Sequence, residues 1–455
     1  MTSRTPPPSS RALWVLAAGL LALLALWAPR ASAQPIDLDN LDGLEAVEMM
    51  EAGELTSVEL TKAYIKRIEA LNKSGPGLNA VTQLNRNALK EAARMDRLRA
   101  QGKVLSPAHG LPVLLKDLID VKGMYTSAGN FSLRNSFPET DSGVAKKLRE
   151  AGVVILGKVG LSEYANSFGN QPSGFANLTG QVLNALDADQ NPSGSSSGTG
   201  AAGAAALSML TVGTETSGSI ISPSRAQGLV GLRPTVGLVP GYGIAPIRLS
   251  QDTAGPMART VRDAAILLDT LVGYDPSDPY TVAALLERRP AGGYAAGLTP
   301  DALRGVRLGV LRDAFGADDD PDSGPVNRVI EQAIADLRRL GAEVVDPVRL
   351  PTLQEYIAET SLYLHRSKYD LNRFLAARPS AAMRSVQEIY AAGQYHPRQD
   401  LFIQIAEEAP EVPEDREDYF RKLAQREVFR RELLKLMADH QLAALVFPDV
   451  QVLPP

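Results

Sequence analysis

The chain has 455 residues, 44% hydrophobic and 22% charged, with a net charge of −5 at neutral pH, an ordinary globular composition. Its mild acidity, and the lack of any basic stripe interleaved with aromatics, gives nucleic-acid binding no support. With no cysteine and only four histidines (His109, His365, His396 and His440), it offers no disulfide, thiol nucleophile or Cys-ligated zinc, and no H-E-x-x-H pair for a catalytic metal.

At the N-terminus, Arg4 and Arg11 precede an apolar run over 12–28, and Ala31-Ser32-Ala33 follows as an A-x-A cleavage site. This three-part layout predicts a signal peptide over 1–33, cut after Ala33, and an exported product, periplasmic or secreted. The competing reading is an uncleaved anchor, because the apolar run is near the lower limit for spanning a bilayer. On the first reading the protein meets the membrane only before cleavage.

Thr56 and Glu59 have capping-box spacing, and Leu60, Tyr64, Ile68 and Leu71 follow on one helical face. A second helix is predicted over 87–101. Residues 110–115 read as a buried strand that stops abruptly at Lys116-Asp117. A helix over 141–151 leads to a strand at 153–156. The alternation resumes with a strand at 306–311, a helix at 325–340 and a strand at 343–345; 353–440 reads as mostly helical, and 442–448 as a last strand. This order predicts an α/β protein. The best candidate for an internal boundary is the Asp/Gly-rich turn at 316–324.

Between Asn191 and Ile220 lie seven serines and six glycines around an apolar block at 204–212. A Gly/Ser linker has no use for such a block, so the tract belongs to a core with its serines at the edges. No lysine falls in it, which argues against a phosphate-cradling loop. Gly194-Ser195-Ser196-Ser197-Gly198 matches Gly-x-Ser-x-Gly, which would make Ser196 the nucleophile of an α/β-hydrolase. That motif needs a buried strand before it, and the polar stretch 186–192 ending in proline is no central strand. No serine has a lysine three residues later, so the Ser-x-x-Lys class lacks support.

Two separated serines and a distant lysine remain. Here the sequence resembles the amidase signature family, closest in look to peptide amidases. The resemblance is carried by Gly194 to Gly198, by Gly213-Thr214-Glu215-Thr216-Ser217-Gly218-Ser219-Ile220, by Gly228 to Thr235 and by the strand end Gly110 to Asp117. Val236 to Val239 and Ser250 to Met257 are similar to peptide amidases in particular. The resemblance implies an α/β/α fold with a large mixed sheet flanked by helices, over 34–455. It also implies a catalytic triad: Lys116 as base, Ser195 as bridging serine in a cis peptide, and Ser219 as nucleophile. No cofactor or metal is implied. The substrate would be a linear carboxamide, a small molecule or a short peptide, with peptide C-terminal amides first.

The residue types suit that chemistry. Serine needs a base beside it, and lysine is a base only when desolvation keeps it neutral; four apolar residues at 111–115 precede Lys116. Its bland alternative is a salt bridge to Asp117. Ser195, able to donate and accept at once, would relay the proton; otherwise it caps the helix that starts near Gly198. The backbone N–H groups of Thr216, Ser217, Gly218 and Ser219 would form an oxyanion hole, or merely a strand-to-loop turn.

Three departures stand out. Members that bind carboxylates or glutamine often carry arginine two residues after the nucleophile, where this chain has Ile221; a buried apolar side chain there disfavours a charged substrate end and weakens a tRNA-dependent amidotransferase reading. Glycine and proline are often found where Ser193 and Ala185 stand, so this loop is expected to differ. Members usually continue for several tens of residues beyond the equivalent of Pro455, so the domain is expected to lack the usual C-terminal part, and an inactive or truncated relative with a binding role is the competing class.

Overall fold

A computed structural model describes residues 35–165 and 171–450; the expected signal peptide lies outside them. Among the described residues no helix is long and apolar enough to cross a membrane.

The centre is a six-stranded mixed sheet. Its strands are β1 (Val81–Leu84), β2 (Pro112–Lys116), β3 (Val154–Val159), β6 (Leu210–Glu215), β7 (Val230–Gly231) and β8 (Thr253–Ala258). A small antiparallel hairpin, β4 (Phe175–Ala176) and β5 (Gly180–Gln181), stands apart from it. In space the order is β1-β3-β2-β6-β8-β7. β3, β2 and β6 run parallel, whereas β1, β8 and β7 join antiparallel to their neighbours. The four inner strands are buried at every position, and β2 and β3 accordingly open on apolar runs without alternation.

Helices flank this sheet, among them Ala88–Ala100 against β3 and Val261–Leu271 against β8. The helix Ser57–Leu71 starts with the capping box foreseen at Thr56 and Glu59. A second sheet, all parallel, is built from β9 (Arg307–Leu311), β10 (Glu343–Val348) and β11 (Ala444–Val446) in the order β10-β9-β11. The turn at 316–324 is no domain boundary. It leads from β9 into the helix Ser323–Arg339 within one compact unit that starts at Leu38.

The small-residue tract owes its composition to a close approach of backbones. Helix Ser197–Ala204 packs on β6 and β2, and the Gly198 N–H donates to the Gly160 carbonyl across 3.0 Å. A Cβ at Gly198 would stand 2.5 Å from the Gly160 backbone, so only glycine fits. The apolar block runs from the last residue of the helix into the first half of β6, an inner strand.

Candidate active site

Lys116 is the last residue of β2 and is wholly buried. Its Nζ donates to Ser195 Oγ at 2.7 Å and to the Thr214 carbonyl at 3.2 Å. Loss of water pushes the amine down to about 7, against the opposing attraction of Glu215 and Asp252.

The salt bridge weighed as the alternative for Lys116 does not form. Asp117 pairs instead with Lys158 on β3, Oδ1 to Nζ at 2.9 Å, both side chains without solvent exposure. The second Asp117 oxygen accepts from the Ser127 N–H and hydroxyl. Lys158 is a residue that the sequence reading passed over. It follows an apolar run on β3 just as Lys116 does on β2, and nothing local says which lysine meets the carboxylate.

Ser195 follows a cis peptide bond from Gly194. It does not cap the helix Ser197–Ala204: the N-cap is Ser196, which makes no side-chain capping bond. The Ser196 hydroxyl donates to the Thr214 carbonyl at 3.0 Å and is completely buried. No strand precedes this serine, so neither its setting nor its exposure fits a nucleophile elbow.

Ser219 lies in the turn between β6 and the helix Ile221–Ala226 and is only 3% exposed. Its carbonyl accepts from the Ser196 N–H at 3.2 Å, which brings it beside the segment that carries Ser195. The turn is held at both ends. The Glu215 carboxylate accepts from the N–H groups of Ile220 at 2.8 Å and Ile221 at 3.0 Å, and its other oxygen meets Arg233 at 3.2 Å. Upstream, the Thr216 hydroxyl donates to Asp252, and the Thr216 carbonyl accepts from the Gln251 amide at 2.8 Å. Gly218, at φ +87°, takes the left-handed conformation that lets the chain reverse. Among the described residues no acceptor takes the N–H groups of Ser217, Gly218 or Ser219.

Asp252 is a further member of this cluster. Its second oxygen accepts from the Ile247 and Arg248 N–H groups, each at 2.8 Å. Burial raises its carboxyl to about 6, against the stabilising hydrogen bonds from Thr216 and the backbone. Asp252 also lines a cleft of about 960 Å³ whose wall includes Asp120, Tyr242, Tyr280 and Phe374.

The departures have local explanations. Ser193 holds a left-handed backbone at φ +57° and donates its hydroxyl to Ser222 at 3.1 Å. The Ala185 N–H donates to Gln227 at 3.0 Å, a bond that proline would remove. Ile221 is half-buried rather than buried.

A sequence profile of the family described as Amidase matches residues 59–455. The chain belongs to the amidase signature family. This amidase is 37% identical over 410 residues to a probable amidase of Arabidopsis thaliana, covering 86% of this chain and 76% of that protein. The crystal structure of native peptide amidase from Stenotrophomonas maltophilia is similar to it at a TM-score of 0.81 and 39% identity, over 92% of this chain and 87% of that one. The amidase is also 35% identical over 311 residues to a glutamyl-tRNA(Gln) amidotransferase component of Bdellovibrio bacteriovorus; that match covers 68% of this chain and 60% of the component.

Proposed function

We propose that this amidase hydrolyses linear carboxamides, peptide C-terminal amides first, through an acyl-enzyme on Ser219. The observation that carries this reading is the wholly buried Lys116 amine, which has Ser195 as its side-chain partner at 2.7 Å and a pKa pushed down to about 7. A neutral amine at physiological pH is a base that a hydroxyl relay can use.

In the proposed reaction Ser219 Oγ attacks the amide carbon, and its proton passes through Ser195 to Lys116. The oxyanion is met by backbone N–H groups of the 216–219 turn, a type of contact worth about 3 kcal/mol per donor. The C–N bond then breaks as the relay returns the proton to the leaving ammonia. Water, deprotonated by the same relay, cleaves the ester to release the carboxylic acid.

The likeness to peptide amidase over most of both chains supports the peptide amide as first substrate. A glutaminase role in an amidotransferase is favoured by relatives of that name, but Ile221 stands where the resemblance expects an arginine for the glutamine carboxylate. Labelling with a fluorophosphonate and mapping the modified peptide tests the chemistry: the label is expected on Ser219. Label on Ser196, or none on an amidase active towards peptide amides, overturns the assignment.

We also propose that residues 1–33 direct export and are removed, on the strength of their charged, apolar and A-x-A segments. N-terminal sequencing of the protein recovered from a periplasmic or secreted fraction is expected to begin at Gln34.

A further inference from the structure

Beneath the cleft wall, between the cleft-lining residues Pro246 and Leu249, Arg248 is buried to 2% exposure. Its guanidinium lies over the Tyr363 ring, 3.9 Å from the centroid. Among the described residues its Nε and Nη1 find no hydrogen-bond partner, and no carboxylate comes within ion-pair distance. The Ser250 hydroxyl, in the same turn, is also buried and without an acceptor or donor.

The surrounding charge makes this arrangement stranger. Arg426, half-buried on the helix Tyr419–Asp439, feels both Arg248 and Arg233 and lies near Tyr280 of the cleft wall. Among the described residues Arg426 forms no ion pair; Arg233 alone of the three is neutralised, by Glu215. Asp252 is the carboxylate that Arg248 feels most closely, and both of its oxygens are engaged by Thr216 and the 247–248 backbone. A buried cation with unmet donors is expensive unless something anionic completes it. Tyr363, stacked on Arg248, also neighbours Ser217 of the Ser219 turn, so a group bound there would sit one side chain away from the proposed reaction centre.

We propose that Arg248 binds a carboxylate carried by the acyl part of the substrate, and so selects peptide amides whose last residue is acidic. Ile221 leaves the position two residues after Ser219 without a cation; Arg248 supplies one from the turn that precedes β8. This inference rests on the amide-hydrolysis reading and adds the substrate's charge to it.

The test compares N-acetyl-glutamic acid α-amide with N-acetyl-methionine α-amide, which has a side chain of similar length without the carboxylate and only one primary amide. Wild type is expected to favour the acid in kcat/KM, and Arg248→Gln to lower the ratio of the two by about tenfold or more, the scale of a charge-assisted contact. Arg248→Lys is expected to restore part of the ratio. A wild-type preference for the neutral amide, or an equal fall for both amides in Arg248→Gln, overturns the anchor and leaves Arg248 a structural residue. Calorimetric binding of the same two amides to Ser219→Ala reads the preference without turnover. If wild type cleaves neither amide while Ser219→Ala still binds the acid more tightly, the anchor stands and the hydrolytic reading falls; equal binding overturns the anchor.

Discussion

Lys116 and Asp117 are neighbours in the chain that serve different partners: the amine meets Ser195, while the carboxylate meets Lys158 on the adjacent strand. The division leaves one buried lysine beside a hydroxyl and the other in an ion pair. It also sets the sign of the pH behaviour. With Lys116 held at about 7, kcat/KM is expected to rise with pH through about 7 to an alkaline plateau, and replacing each histidine by glutamine in turn is expected to leave that midpoint in place. A midpoint moved by a single histidine substitution would point to an imidazole relay instead.

Asp252 attracts the Lys116 proton. Asp252→Asn keeps a carbonyl for the Ile247 and Arg248 N–H groups and an amide to face Thr216, so the turn should survive. Without that negative charge, the rising limb of the pH–rate profile is expected to move to lower pH. An unmoved limb, or one moved upward, contradicts the electrostatic link.

The same lysine affects folding. Between its native value of about 7 and its ordinary value of about 10.4 in the unfolded chain, the unfolded state binds a proton that the native state does not. Stability from this group therefore rises with pH across that window and is lowest below it. Lys116→Met is expected to remove that slope in denaturant titrations at several pH values. It is also expected to lower turnover by about a hundredfold or more, the lower end of what a general base contributes; retention of more than about a tenth of the wild-type rate argues against a base role.

The three serines of the site should separate by their effects. Ser219→Ala is expected to abolish fluorophosphonate labelling, and Ser195→Ala to leave a slow residue of it. Ser196→Ala is expected to keep labelling while losing about 1–3 kcal/mol of stability, because its buried hydroxyl bond to the Thr214 carbonyl is removed. Mass spectrometry of labelled peptides and melting curves measure the two effects independently.

Lys158→Met strands the buried Asp117 carboxylate. A loss of about 3–5 kcal/mol is expected by chemical denaturation, as for other buried pairs broken on one side. A variant as stable as wild type would mean that Asp117 takes up a proton or finds another donor.

Much of this architecture is legible in the sequence because it is local. The capping box at Thr56 and the strand that halts at Lys116 both appear where side-chain periodicity and turn residues place them. Other parts carry no local signal. β1 has four residues with a mostly half-exposed pattern. β8 contains Gly255 and Pro256, which read as a turn; the strand needs glycine at 255, where a Cβ would stand 2.2 Å from the Leu232 carbonyl, and Pro256 keeps a place in the sheet through its carbonyl, which accepts from the Leu232 N–H. The Lys158–Asp117 pair spans 41 positions, and Arg248 reads as an ordinary surface arginine until the fold encloses it.

The anchoring of the Ser219 turn by Glu215 on one side and by Asp252 and Gln251 on the other has a kinetic meaning. A loop tied down at both ends has little freedom to swing toward an arriving molecule, so its donors are already in place beforehand. Adjustment during an encounter then falls to the incoming chain and to the cleft that Asp252 lines, where Phe137, Tyr242 and Tyr280 are each about half exposed. Differences in speed between substrates would accordingly originate in how readily each one bends to fit, and stiffening a substrate in its bound shape should accelerate its capture more than any loosening of the enzyme.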